Sequence, residues 1–230
     1  MLWPVWRLLR IWSNHFSRGD LHRWVAAHRA RASGVVLNVG SGGEASRLVE
    51  PCLSIDIDPA RNPDLVADVC DLRPHFGDAT FDAVFLIEVL EHVTEPARAI
   101  AEIRRVLKPG GSLVLSVPYL FEIHDAPHDY WRFTRYGIER LLHDFADVTI
   151  EARNGYFRAV YTPLIRLWYS PYLGDRVAGL CFMAIAVPLY PLIRLLDAVI
   201  RSDRAVTGYH VTARKPLTDA SGAPMEVRDR

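Results

Sequence analysis

The stretch Gly34-Val-Val-Leu-Asn-Val-Gly-Ser-Gly-Gly43 constrains the fold of this chain more than any other. A short apolar, β-branched run that stops at glycine has the pattern of a strand buried on both faces. The glycines that follow permit a sharp turn and a close approach of backbone to a ligand. Leu53-Ser-Ile-Asp56, Phe81-Asp-Ala-Val-Phe-Leu-Ile87 and Ser112-Leu-Val-Leu-Ser-Val117 repeat the strand pattern. Between the last two, Thr94 is placed to cap a helix with Glu95 and Pro96 in its first turn. Ala97, Ile100, Ile103 and Leu107 give that helix an apolar face at 3.6 spacing. Arg104, Arg105 and Lys108 complement its C-terminal dipole, and Pro109-Gly110-Gly111 ends it. The alternation predicts an α/β fold, a Rossmann-like doubly wound sheet with helices on both faces.

Composition narrows the functional classes. Of 230 residues, half are hydrophobic and 23% charged, which excludes a disordered chain and supplies a core for one domain with additions. The 27 basic and 27 acidic residues cancel, which argues against a nucleic-acid partner. The cancellation conceals segregation. Residues 1–33 carry six arginines against Asp20, residues 34–150 ten basic against nineteen acidic residues, and residues 151–230 eleven against seven. An acidic centre therefore lies between basic flanks. Cys52, Cys70 and Cys181 form no CxxC and no cluster with metal-ligand spacing. The expectation is a reducing compartment, no metal, and thiols serving as small core residues. Arg7 and Arg10 interrupt the apolar N-terminus and no small-residue cleavage site follows, so the segment reads as uncleaved and the protein as cytoplasmic.

Gly40-Ser-Gly-Gly-Glu-Ala45 is expected to open a helix with Ala45, Leu48 and Val49 facing inward. Asp56 ends the second strand, where a carboxylate can accept the hydroxyls of a ribose, and Asp68 follows Leu65-Val-Ala67 at the same edge of the sheet. Two cofactors fit these residues. Gly40, Gly42 and Ala45 match a dinucleotide fingerprint, which implies an NAD(P)-dependent oxidoreductase. S-adenosylmethionine, with a ribose but no pyrophosphate, fits as well.

Taken together, residues 34–155 and 207–216 resemble the class I S-adenosylmethionine-dependent methyltransferases. Val35-Val-Leu-Asn-Val-Gly-Ser-Gly-Gly43 is similar to the family's first motif, Asp56-Ile57 to its ribose-binding acid and the next residue, and Asp68-Val69 to its adenine-binding position. Phe81-Asp82 through Ile87-Glu-Val-Leu-Glu-His-Val93 resembles the fourth-strand motif, with Glu88 near the methionine part. Arg105-Val-Leu-Lys-Pro-Gly-Gly111 resembles the hairpin before strand five, and Thr207 to Pro216 the final strand, antiparallel in this family. The resemblance implies S-adenosylmethionine as cofactor, bound by Asn38, Gly40, Ser41, Gly42, Asp56, Ile57, Asp68, Val69 and Glu88. Two residues depart from the pattern. Asn38 replaces an acid, and Glu44 brings a charge to a position that is often neutral; a non-catalytic cofactor-binding relative would carry such changes. An amide can still hydrogen-bond the turn, so retained binding is expected. The family chemistry asks the protein to align a nucleophile, with a base only for a poor one such as a hydroxyl.

After the fifth strand, residues 118–134 concentrate His124, Asp125, His128, Asp129, Tyr130, Trp131 and Arg132. His128-Asp-Tyr-Trp-Arg-Phe-Thr134 resembles a segment of bacterial methyltransferases found among cell-surface polysaccharide genes. The loop reads as the acceptor site for a small or lipid-linked molecule, with His124, His128 and Asp129 as candidate catalytic residues. Thr134 is placed to cap a helix over residues 135–143.

The flanks read differently from the centre. Leu2, Val5, Trp6, Leu9, Trp12 and Phe16 fall on one helical face, with Arg7 and Arg10 opposite, as at a membrane interface. Residues 177–193 carry no charge, but Pro188 and Pro191 are expected to break a helix there. Tyr156, Tyr161, Trp168, Tyr169 and Tyr172, interleaved with Arg158 and Arg166, suit a hairpin dipping into the inner leaflet. A soluble homodimer cap and a true span are the other readings. The expected divisions are an amphipathic helix over 1–33, the core over 34–155, an apolar helical insert over 156–206, a final strand over 207–216 and a tail over 217–230.

Overall fold

A computed structural model describes residues 18–43, 45–200, 202 and 204–218. The expected helix through Leu2 and Phe16, and most of the expected tail, lie outside these residues. Seven strands, β1 (Val36–Val39), β2 (Leu53–Asp56), β3 (Leu65–Val66), β4 (Phe81–Ile87), β5 (Leu107–Pro118), β6 (Ala146–Ala152) and β7 (Gly208–Arg214), form one sheet of order β3-β2-β1-β4-β5-β7-β6. Neighbours from β3 to β5 pair in parallel, with Leu37 opposite both Leu53 and Val84. β7 runs against β5: Gly110 N–H donates to Lys215 O and Tyr119 N–H to Thr207 O, each at 2.9 Å, so the numbering falls on one strand as it rises on the other. The expected mixed α/β sheet is therefore present. All four residues of β1 are buried, as the unbroken apolar run requires.

The helices are α1 over residues 18–31, α2 (Pro96–Val106), α3 (Arg135–Leu141), α4 (Tyr156–Arg166) and α5 (Leu173–Val199). Thr134 caps α3 as expected, its Oγ1 accepting from Gly137 N–H at 3.1 Å. Three local expectations are corrected. Glu95, not Thr94, precedes the first turn of α2, with Pro96 at its start. The inward residues of α2 are Ala99, Ile100, Glu102, Ile103 and Val106, whereas Ala97 is exposed and Leu107 already pairs with Phe81 as the first residue of β5. The glycine turn leads only to a four-residue 3-10 turn, Ser46–Val49, with Leu48 exposed. Pro51 explains this, because the residue before a proline is driven out of the helical region, and Glu50 is extended. All three cysteines are free thiols, but only Cys70 is buried; Cys52 is half-buried and Cys181 exposed. Burial pushes the Cys70 thiol up, with Asp68 adding to the effect.

The chain divides into two compact units. One holds the described residues to Arg23, Pro118–His124 and Ala152–Tyr209; the other holds Trp24–Val117, Asp125–Glu151 and the described residues from His210. In the first unit, Ile165 and Trp168 pack on Met183, Ala186 and Ile193 of α5. A Cβ on Gly179 would lie 2.4 Å from Trp168 N, so glycine is what lets α5 approach so closely. Arg158 pairs with Asp197 at 2.7 Å and also with Asp20, which sets the start of α4 beside the end of α5. Contrary to expectation, Pro188 and Pro191 do not break α5. Both side chains are exposed, and the packing of Met183, Ala186 and Ile193 on Ile165 and Trp168 holds the helix on either side of them.

In the second unit, Glu102 accepts from Arg105 Nη2 at 2.8 Å and from Leu72 N–H at 3.0 Å. The Arg105 hydrogen bond holds the Glu102 carboxyl below its ordinary value, with the Leu72 amide helping. The folded state thus binds its proton less readily than the unfolded chain. This stability is present at neutral pH and lost as pH falls through and below the usual carboxylate range. Glu102→Gln is expected to destabilise by about 1–3 kcal/mol at pH 7 and by less at pH 3, read from urea unfolding at both.

Candidate functional site

The carboxyl ends of β1, β2 and β4 meet at one edge of the second unit. Asn38, 3% exposed near the end of β1, turns its amide on the segment that follows. Its Nδ2 donates to Ser46 O at 3.1 Å and to Ser46 Oγ at 2.8 Å, and Ser46 Oγ donates to Gly40 O at 2.6 Å. A backbone carbonyl only accepts, so the nitrogen of the amide must face it. The amide therefore does what a carboxylate could not, and the departure at Asn38 is matched by Ser46. Gly40 takes φ +81°, where a Cβ would lie 2.2 Å from Val89 Cγ2, and its N–H donates to Ile55 O at 2.8 Å. Ser41 places a buried hydroxyl with no hydrogen-bond partner among the described residues, and Gly42 is half-buried beside it. Glu44 lies outside the described residues.

Three carboxylates mark the same edge. Asp56 ends β2 half-buried, with Oδ1 accepting from Asp58 N–H at 3.0 Å, and Ile57 beside it is 69% exposed. Asp68 is exposed, its Oδ1 accepting from Cys70 N–H at 2.8 Å, while the Val69 side chain belongs to the core. Glu88 follows β4 at φ +56°, a conformation non-glycine residues adopt rarely and mostly where surrounding structure enforces it. β5 supplies that enforcement: Glu88 N–H donates to Ser116 O at 3.0 Å, and Ser116 Oγ donates to Glu88 Oε1 at 2.9 Å.

The turn after Glu88 also carries the candidate acceptor loop. Glu91 O accepts from Tyr130 N–H at 2.9 Å and Trp131 N–H at 3.2 Å, and Val93 O accepts from Trp131 Nε1 at 2.8 Å. His92 Nδ1 donates to His128 O at 2.7 Å. His128 is exposed, with Nδ1 2.8 Å from the Tyr130 hydroxyl. Asp129, its carboxylate almost fully buried, is gripped by Arg132 at 2.6 and 2.7 Å. That bidentate hydrogen bond raises the Arg132 pKa further, and the negative charges of Glu91 and Glu88 act in the same direction. Of the three candidate catalytic residues, His128 and Asp129 thus share the unit with the carboxylates. His124 belongs to the other unit, with Nδ1 3.2 Å from Glu122 O and its ring edge-on to Phe121.

Sequence reasoning passed over Ser46, Val89, Glu91, His92 and Ser116. The signal available for two of them was Glu91-His92, which follows Glu88 inside a motif already singled out. Ser46 and Ser116 gave none, because a serine is informative only once its partner is in place.

The chemistry of the edge bears on the cofactor. A dinucleotide pyrophosphate is anionic and seeks a helix N-terminus, but this turn leads to a single 3-10 turn. Carboxylates and an unsatisfied hydroxyl suit a ligand with hydroxyl and amine donors and a positive charge.

Comparison with known proteins agrees. The family described as "Methyltransferase domain" matches residues 37–115. A ubiquinone biosynthesis O-methyltransferase of Alkalilimnicola ehrlichii is 34% identical over 101 residues, covering 36% of this chain and 39% of the relative. The ubiquinone/menaquinone biosynthesis C-methyltransferase UbiE of a Marinomonas strain is 30% identical over 129 residues, covering 44% and 51%. The chain thus spans about half or less of the length of the curated relatives it matches. A S-adenosylmethionine-dependent methyltransferase from Archaeoglobus fulgidus superposes with TM-score 0.54 at 17% identity, covering 88% of this chain and 97% of that one. The [4+2]-cyclase SpnF gives 0.53 at 22%, covering 85% and 80%. These two likenesses concern the fold.

Asn38→Asp sets a carboxylate against Ser46 O and removes two donations. The expected cost is about 1–3 kcal/mol, seen as a lower midpoint in urea unfolding; an unchanged midpoint would show that the clamp on the turn is dispensable.

Proposed function

We propose that this chain, a member of the class I S-adenosylmethionine-dependent methyltransferase family through residues 37–115, transfers the methyl group of S-adenosylmethionine to a hydroxyl of a small, lipid-linked acceptor. The observation that carries the reading is the edge itself: a glycine turn clamped by Asn38, followed by Asp56, Asp68 and Glu88 at successive strand ends. When bound, the cofactor supplies a methyl already activated on sulfonium, so the protein's task is alignment of the nucleophile. In this reading Gly40, Ser41 and Gly42 give the cofactor a close backbone surface, and Asp56 accepts from the ribose beside Ile57. Asp68 and Val69 flank the adenine, and Glu88, fixed by Ser116, faces the methionine end. His128 or His124 takes the hydroxyl proton. Asp129 acts as a positioning residue, holding Arg132 and with it the loop.

The names of relatives that carry out O-methyl transfer in ubiquinone biosynthesis support an oxygen acceptor. The resemblance of the His128 segment to enzymes near polysaccharide genes supports a sugar of a surface glycan, met at the cytoplasmic face of the membrane. An NAD(P)-dependent oxidoreductase is disfavoured by the short 3-10 turn and the acidic edge.

Calorimetry with S-adenosylmethionine and with NADH tests the donor. Binding of the first alone is expected, and Asp56→Ala should weaken it at least about tenfold. Incubating the protein with labelled-methyl donor and membrane extract should then place label in the lipid fraction, and His124→Ala with His128→Ala should lower that transfer. Donor binding without labelled product would make the chain a non-catalytic relative. Full turnover by the double variant would remove both histidines from the role of base.

A further inference from the structure

The segment His128–Trp131 is anchored mainly through its backbone. His128 N–H donates to Asp125 O at 3.1 Å, and His128 O accepts from His92 Nδ1 at 2.7 Å. Tyr130 N–H donates to Glu91 O at 2.9 Å. The side chains of the alternate residues add to this, Asp129 by gripping Arg132 and Trp131 by donating to Val93 O. The side chains of His128 and Tyr130 take no part in that anchoring. Both residues are exposed, and His128 Nδ1 lies 2.8 Å from the Tyr130 hydroxyl, with the two rings edge to face and 6.1 Å between centroids. A buried hydrogen bond contributes about 0.5–1.5 kcal/mol net, and an exposed one contributes less because water competes for both partners. The fold therefore has little need of this pair. The pair does sit on Glu91 and His92, three and four residues beyond Glu88, which faces the methionine end of the donor in the reading proposed above.

We infer that Tyr130 is a further catalytic residue, its hydroxyl relaying the proton of the acceptor to His128. With the hydrogen of the neutral imidazole on Nε2, Nδ1 accepts from the Tyr130 hydroxyl. A phenol hydroxyl accepts as well as donates, so the acceptor hydroxyl can donate to Tyr130 Oη while Tyr130 donates to His128. As the methyl moves, its bond to sulfur breaks with the electron pair left on sulfur, and the acceptor oxygen forms the new bond with a lone pair of its own. The acceptor proton passes to Tyr130 Oη and the Tyr130 proton to His128 Nδ1. The phenol is restored, and the positive charge that left the sulfonium ends on the imidazolium. Direct transfer to Nδ1 would require the acceptor to displace the phenol, whereas the relay uses the hydrogen bond already made. The inference rests on the methyl-transfer reading and deepens it: His128 becomes the base, and Tyr130 stands between that base and the acceptor.

The rate of label transfer from methyl-labelled S-adenosylmethionine to membrane extract, at saturating donor, tests the relay. Tyr130→Phe keeps the ring and removes the hydroxyl, and should lower the rate at least about tenfold. His128→Ala should lower it by a similar factor. Because both groups act on one proton, the double variant should lose little more than either alone. Calorimetric donor affinity and the midpoint of urea unfolding should stay at wild-type values in all three variants. Full transfer by Tyr130→Phe overturns the inference, as does multiplication of the two losses in the double variant. A lower midpoint or weaker donor binding that accounts for the loss also overturns it, since the pair would then be structural. A wild type that binds donor and transfers no label removes the methyl-transfer reading and the relay with it, whereas a labelled product unaffected by Tyr130→Phe removes the relay alone.

Discussion

The Asn38 amide is the interaction on which the candidate site depends. It is buried at the end of the most enclosed strand and makes its two donations to Ser46, whose hydroxyl in turn holds the Gly40 carbonyl. Release of that clamp would free the turn at the point where β1, β2 and β4 present their carboxyl ends. A buried amide left unpaired is costly, so the clamp and the fold enforce one another. The choice of amide over acid also affects the electrostatics of the edge: the clamp adds no charge, and Asp56, Asp68 and Glu88 supply the negative groups there.

The turn over residues 88–93 plays a comparable part on the other side of the edge. Glu88 is held at positive φ by Ser116, and three residues later Glu91 O accepts from Tyr130 and Trp131 N–H while His92 Nδ1 donates to His128 O. Candidate cofactor and acceptor residues are thus tied to one short segment. Asp129 and Arg132 complete the arrangement as a mutually satisfied pair, which suits a role in holding the loop better than one in proton transfer.

The parallel sheet was legible because its strands are buried on both faces and announce themselves as apolar β-branched runs; β1 (Val36–Val39) lies within the run that starts at Gly34, and β4 coincides with Phe81–Ile87. The carboxylates were legible through their positions at strand ends. What escaped was local phase and partnership. The inward face of α2 is shifted toward Ala99 and Val106 because Leu107 is claimed by pairing with Phe81, a contact invisible to helical periodicity. The helix expected after Gly43 was cut to one turn by Pro51, although that signal was present in the sequence. The two prolines of α5 misled in the opposite direction. A proline removes one helical hydrogen bond and crowds the carbonyl four residues back, and here packing of Met183, Ala186 and Ile193 on either side of the two prolines holds the helix through them.

The segregation of charge acquires a physical sense from these placements. In the acidic centre, some carboxylates are consumed by structure, as Glu102 and Asp78 are by Arg105 and Asp82 is by Lys108, and others stand at the strand ends. In the basic region that follows, Arg158 and Arg166 are likewise consumed by Asp197, Asp20 and Glu122. Counting charge along the chain therefore exaggerates what is offered to a partner. Arg176 is held too, stacked on Trp168 at 5.1 Å, and Glu88 is held by Ser116. What the sheet edge offers is therefore set by where these bonds leave the carboxylates of Asp56, Asp68 and Glu88, a negative set whose field favours a cationic ligand over an anionic one.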